Sequence, residues 1–183
     1  KDCSFEFLHA SQKIRSLEKD LSPALKAVDE ADLVIFAYPV YTFLVPAQLH
    51  RFVELLHASG RDFNGKYATQ ITTSKHFYDT TAHEFMRENL TDLGFNVLEG
   101  LSADMEDLLS EKGQIDALNF FKFVCHSIEN EIYEPVIQCT NEYKRVSITP
   151  AELNKTKTGD VVVLTNCDKD DVQLKSMIEH FCN

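Results

Sequence analysis

The run Leu33-Val34-Ile35-Phe36-Ala37 constrains the fold more than any other stretch of the chain. It follows Ala31-Asp32, contains no polar residue, and stops abruptly at Tyr38-Pro39-Val40-Tyr41. A strand of that composition reads as buried on both faces, and such strands belong mainly to parallel sheets covered by helices. A helix must follow closely. Pro46 opens one in which Leu49, Phe52, Val53 and Leu56 fall on a single face, with His50, Arg51 and Glu54 outside and Gly60 just past its end.

The same alternation runs along the chain. Ser4 to His9 places Phe5 and Phe7 at strand spacing, and Ser22-Pro23 starts a short helix with Leu25 and Val28 on one face. Tyr67 to Thr72 is the next strand. A helix from about Thr80 carries Ala82, Phe85, Met86, Leu90 and Leu93 inward, Thr81 and Glu84 form a capping box, and Gly94 closes it. Phe95 to Leu101 is a further strand. The long helix after it, from Gln114 to Ile132, has Ala117, Phe120, Phe121, Val124 and Ile128 along one side, with Phe123 pointing elsewhere. Repeated β and α elements imply a doubly wound parallel sheet in three α/β/α layers. Residues 1–132 form that domain. Residues 133–159, with Pro135 and Pro150, read as a linker. Residues 160–183 read as one more strand, Val161 to Leu164, and a helix with Val172, Leu174, Met177, Ile178 and Phe181 on its apolar side.

The chain of 183 residues carries a formal net charge of -11. Nucleic acid and anionic membrane surfaces are poor partners for it, because both require clustered cations. No apolar run is long enough to cross a membrane, and no signal-peptide pattern is visible. The five cysteines, Cys3, Cys125, Cys139, Cys167 and Cys182, include no CxxC pair, so free thiols in a reducing cytoplasm are expected and no metal site is. The acids Asp104, Glu106 and Asp107 read as an acidic helix start, not a cation loop. His50, His57 and His83 read as solvated or capping residues on helix faces, and Ser102 has no nucleophile-elbow setting.

In open α/β sheets, ligands bind beyond the carboxyl ends of the strands. Two such ends carry suitable chemistry. The first is Tyr38, Pro39, Val40, Tyr41, Thr42 and Phe43; the second is Thr73, Ser74, Lys75, His76, Phe77 and Tyr78. Aromatic rings, hydroxyls and strand-end N–H groups suit a flat heteroaromatic ligand. The plainer reading of the tyrosines is strand-end packing with their hydroxyls in water, and that of Lys75 and His76 is a solvated loop.

The stretch EADLVIFAYPVYTFLVPAQLHRFVELL resembles the central segment of the flavodoxin-like NAD(P)H-dependent FMN reductases. Pro39, Val40 and Tyr41 match the Pro-x-Tyr element, and Pro46, Leu49, His50 and Phe52 match the helix after it. TTSKHFYDTTAHEFMRENLTDLGF and GLSADMEDLL look like a subgroup with flavodoxin-like units in tandem; together the resemblance covers Ser4 to Glu131. It implies FMN across the two strand ends, hydride from NAD(P)H to the flavin, and a small-molecule or protein electron acceptor. It also implies a homodimer, with which the apolar Phe120–Val124 segment is compatible. The chain departs from the family in lacking the first strand, the phosphate loop and the cysteine-bearing loop, where SQKIRSLEKDLSP stands. Two accounts of this stay open: the chain is part of a longer protein, or the segment from residue 160 completes the sheet. In a tandem protein that segment looks like the opening of a second flavodoxin-like unit, and its loop TNCDKDD is too acidic to favour a phosphate. A flavin-free scaffold and a flavodoxin-type electron carrier are the alternatives.

Overall fold

The structure is a computed structural model that describes residues 4–74, 79–134, 162–165, 168 and 170–182. The chain divides into two compact units, Lys1–Cys139 and Thr140–Asn183. In the first, the elements run α1 (Ala10–Leu17), α2 (Ser22–Glu30), β1 (Leu33–Pro39), α3 (Ala47–Ala58), β2 (Tyr67–Ser74), α4 (Thr80–Asp92), β3 (Asn96–Val97), β4 (Leu101–Asp104), a 3-10 turn (Asp107–Leu109) and α5 (Glu111–Glu129).

All described strand pairs are parallel. β2 pairs with β1 on one side, in the register Leu33 opposite Tyr67 through Pro39 opposite Thr73. On its other side it pairs first with β3 and then with β4. β2 is therefore flanked on both sides and is buried along most of its length. The main core joins Phe36, Tyr38 and Ala68 of the sheet to Leu17, Val28, Leu49, Phe52, Val53, Leu56, Met86 and Leu90 of the first four helices. Phe63 and Phe95 belong to the same core and stack with centroids 4.8 Å apart. α5 packs on β4, where Leu98, Ala103 and Val124 are buried outside that main cluster. The alternation seen in the sequence thus yields the expected parallel α/β sheet, with α3 and α4 burying the faces their spacing dictates. Gly94, at φ +91, ends α4 in the left-handed conformation that suits glycine.

Four local readings are corrected. Residues 4–9 form no strand, and Phe5 and Phe7 are exposed. A strand exists only when paired, and nothing among the described residues pairs with this segment. Helix α1 follows instead, with Leu17 buried and Ile14 packed against the core. β1 is buried on one face only: Phe36 and Tyr38 are inside, while Ile35, Ala37 and Pro39 are exposed. The helix on that side of the sheet, α5, packs over β4 and leaves β1 uncovered. On α5 itself Gly113, Val124 and Ser127 are buried, while Phe121, expected on the inner side, is exposed; Phe123 lies off that side and is exposed. Helix α4 begins with Asp79 at its N-cap and no side-chain cap bond, so the Thr81–Glu84 capping box does not form the entry.

The segment Phe95 to Leu101 divides into β3 and β4 around Gly100. A Cβ at Gly100 would sit 2.9 Å from the Gln70 backbone oxygen and 3.1 Å from the His83 ring. Backbone cannot move aside as a side chain can. Gly100→Ala is expected to destabilise the protein by about 1–2 kcal/mol, read as a lower denaturant midpoint at unchanged slope; an unchanged midpoint would show that the strand break tolerates a side chain.

In the second unit, the helix α6 (Val172–Cys182) forms as its spacing suggests. Residues 162–165 carry no strand, and Val162 and Leu164 are 82% and 93% exposed. Most of the expected linker, 135–159, lies outside the described residues.

Candidate functional site at the strand ends

Two backbone bonds frame the carboxyl end of the sheet. Val40 N–H donates to the Thr73 carbonyl at 3.0 Å, and Met105 N–H donates to the Ser74 carbonyl at 3.1 Å. The end of β2 is thereby tied to the segments leaving β1 and β4. Between them lies a cavity of about 300 Å³, lined by Pro39, Val40, Tyr41, Thr42, Phe43, Thr73, Ser74 and Met105. Its wall is a two-residue hairpin. Tyr41 and Leu44 exchange backbone hydrogen bonds of 2.9 and 3.1 Å across Thr42 and Phe43. Both central residues have positive φ, 49° for Thr42 and 70° for Phe43. Such turns favour Asn-Gly, and a β-branched residue followed by an aromatic one is strained there. A second hollow of about 590 Å³ lies against Tyr41, Thr42 and Leu44, reaching Pro46 and His50.

Seven of the residues singled out in the sequence come together here: Pro39, Val40, Tyr41, Thr42, Phe43, Thr73 and Ser74. Tyr41 stands 62% exposed at the rim. Tyr38 does not join them. It is 6% exposed, and its hydroxyl donates to Gln70 Oε1 at 2.5 Å, with the Ala82 carbonyl at 3.3 Å. Strand alternation sends Tyr38 and Pro39 to opposite faces of the sheet. Lys75, His76, Phe77 and Tyr78 lie outside the described residues. Met105 was missed, although it follows a third strand end and the same strand-end rule applies to it.

A polar cluster just below the strand ends was also missed. The Asp79 carboxylate accepts from the Thr72 hydroxyl at 3.3 Å and from the Ser102 hydroxyl. His83 Nε2 is 2.8 Å from the Thr72 hydroxyl and 3.8 Å from Asp79. His83 is thus partly buried and engaged, not a solvated face residue. Burial lowers its pKa, and the carboxylates of Asp79, Glu84 and Glu99 oppose that only in part. The i, i+4 spacing of Asp79 and His83 was the available signal.

The cavity suits the ring end of a flavin. It offers apolar and aromatic walls, the hydroxyls of Tyr41, Thr42, Thr73 and Ser74, and a strained turn that fixes the wall in place. Among the described residues no lining residue is a cation, so these groups fit the isoalloxazine and leave its phosphate to others.

The comparisons with known proteins bear on this site. Two curated relatives, the ribosyldihydronicotinamide dehydrogenases (quinone) of Pongo abelii and Homo sapiens, are each 43% identical over 56 residues. The match spans 31% of this chain and only 24% of each relative's length. Among solved structures, a variant of Pseudomonas aeruginosa flavodoxin superposes with a TM-score of 0.46 at 17% identity, covering 68% of this chain and 94% of that one. Flavodoxin 1 from Bacillus cereus gives 0.43 at 23% identity, covering 54% and 68%. A family model for NADPH-dependent FMN reductase matches residues 5–106, which is more than half of the chain and includes every described residue lining the cavity. The chain belongs to the NADPH-dependent FMN reductase family.

Proposed function

We propose that this chain is an FMN-binding, NAD(P)H-dependent oxidoreductase or the flavin-binding part of one. The observation that carries the reading is the strained Thr42–Phe43 turn, which walls a cavity at the carboxyl ends of three parallel strands. Tyr41, Phe43 and Met105 would lie against the isoalloxazine, and the Thr73 and Ser74 hydroxyls and nearby backbone would meet its polar edge. A bound flavin would supply the redox chemistry, which is hydride acceptance from a nicotinamide and electron donation to a small-molecule or protein acceptor. The protein's part is to orient the ring and exclude water. Pro39 helps, because its fixed φ stiffens the strand end at which the wall begins.

The test is a titration of the chain with FMN, followed by quenching of flavin fluorescence. Saturable one-to-one quenching is expected, and Tyr41→Ala is expected to weaken it about tenfold by removing an exposed ring from the wall. Pyridine-nucleotide oxidation by the flavin-loaded protein then separates a reductase from an electron carrier. Absence of quenching would leave a flavodoxin-like scaffold without cofactor. Among the described residues no helix is long and apolar enough to cross a membrane.

A further inference from the structure

We propose that Asp79 is a positioning residue for this site: its carboxylate gathers the hydroxyls of Thr72 and Ser102 at one point beneath the cavity, and His83 makes that grip depend on pH. The inference rests on the flavin-site reading above for its purpose, but not for its geometry.

Asp79 occupies the N-cap position of α4, yet makes no capping bond. Its side chain turns inward instead and is 9% exposed. A buried carboxylate is costly unless several donors meet it. The donors come from two strands: Thr72 on β2 and Ser102 on β4 are direct partners in the sheet register. One carboxylate therefore clamps the two strands. Each of them immediately precedes residues at the cavity. Thr73 and Ser74 follow Thr72, and Met105, bonded to the Ser74 carbonyl, follows Ser102 by three residues.

A carboxylate only accepts, so the hydroxyls donate to it. The single Thr72 hydrogen has two oxygen acceptors in reach, Asp79 at 3.3 Å and the Leu101 carbonyl at 3.4 Å. In the proposed arrangement it goes to Asp79, and the Nε2–H tautomer of His83 donates to the Thr72 oxygen at 2.8 Å. Neutral His83 completes this chain. Protonated His83 places a full positive charge 3.8 Å from the same Asp79 oxygen. The carboxylate is then drawn toward the imidazolium and away from the hydroxyls. Among the described residues, the charged and titratable groups around His83 are Asp79 and Glu84 on its own helix, Glu99 on the β3–β4 connection, and Tyr38 of β1, whose hydroxyl reaches the Ala82 carbonyl. Burial holds His83 below its ordinary value, so the clamp is complete at neutral pH and loosens on acidification.

The experiment follows the backbone amide resonances of Thr73, Ser74 and Met105 in the isotope-labelled, flavin-free full chain, from about pH 8 to about pH 5. The wild-type amides are expected to shift together with the His83 imidazole. His83→Gln, which still donates to Thr72, is expected to abolish that shared step. Asp79→Asn is expected to displace the three amides at every pH and to weaken FMN binding about tenfold. Should Asp79→Asn fail to fold, Ser102→Ala, at an exposed residue, is expected to displace the Met105 amide. A wild-type titration without a step linked to His83, or the same step persisting in His83→Gln, would overturn the proposal. If those amides behave as expected but FMN never binds, the clamp stands and the flavin reading falls.

Discussion

Replacing Thr42 by Asn and Phe43 by Gly stabilises the flavin-free protein by about 2 kcal/mol and weakens FMN binding about tenfold. Both residues hold positive φ, and neither is a type that adopts it cheaply. Left-handed backbone costs a non-glycine residue about 1–2 kcal/mol. Asn-Gly is the pair that two-residue hairpins prefer, so most of that strain is released; the added glycine returns a fraction of a kcal/mol through its freer unfolded chain, roughly 0.5–1 kcal/mol. The gain in stability comes with a loss at the cavity, because both side chains line it. Denaturant unfolding at unchanged slope and an FMN titration measure the two effects. Stability that does not rise would mean the turn stores no strain. Stability that rises with undiminished affinity would mean the strain serves something other than the flavin.

The parts of the fold that could be read from sequence were those decided by local periodicity. The Leu49, Phe52, Val53 and Leu56 stripe belongs to a helix whatever surrounds it, and it buries as expected. The readings that failed were those decided by neighbours. Phe5 and Phe7 alternate as a strand would, but alternation supplies no pairing partner. The run from Leu33 to Ala37 looks buried on both faces, yet α5 packs elsewhere and one face stays open. The split of β3 from β4 depends on how closely Gly100 approaches Gln70 and His83, which are thirty and seventeen positions away along the chain. The strand-end rule marks the hairpin and the β2 terminus, which the fold brings around one cavity. The same stretch contains Tyr38, which the pleat turns to the other face of the sheet, because the rule marks a stretch of chain while the pleat decides which side chains line the cavity. His83 and Ser102 escaped because each was weighed singly, and Asp79 because no motif drew attention to it. Their meaning lies in three elements meeting at one carboxylate.

Tyr38 gives the clearest pH signature. Above about pH 10 the protein is expected to lose stability with a component of about 1.4 kcal/mol per pH unit that Tyr38→Phe removes. The phenol is buried and donates to Gln70 Oε1, and Gln70 Nε2 in turn donates to the His83 carbonyl at 3.1 Å. Burial first, and the nearby Asp79 charge second, push the phenol well above its ordinary range. The sign follows from linkage. In the unfolded chain Tyr38 releases its proton near its ordinary value, while the folded chain retains it. The folded state then binds more protons, so stability is complete below that value and declines as pH rises through the interval up to the folded pKa. Contributions of all other groups are common to both proteins and cancel in the difference. At neutral pH Tyr38→Phe costs about 1–2 kcal/mol, because Gln70 Oε1 is left buried without its donor. FMN affinity should stay close to wild type, since Tyr38 faces α4 and not the cavity. Parallel alkaline slopes in the two proteins would show that the phenol ionises as easily folded as unfolded. A large loss of FMN affinity would return Tyr38 to the binding site.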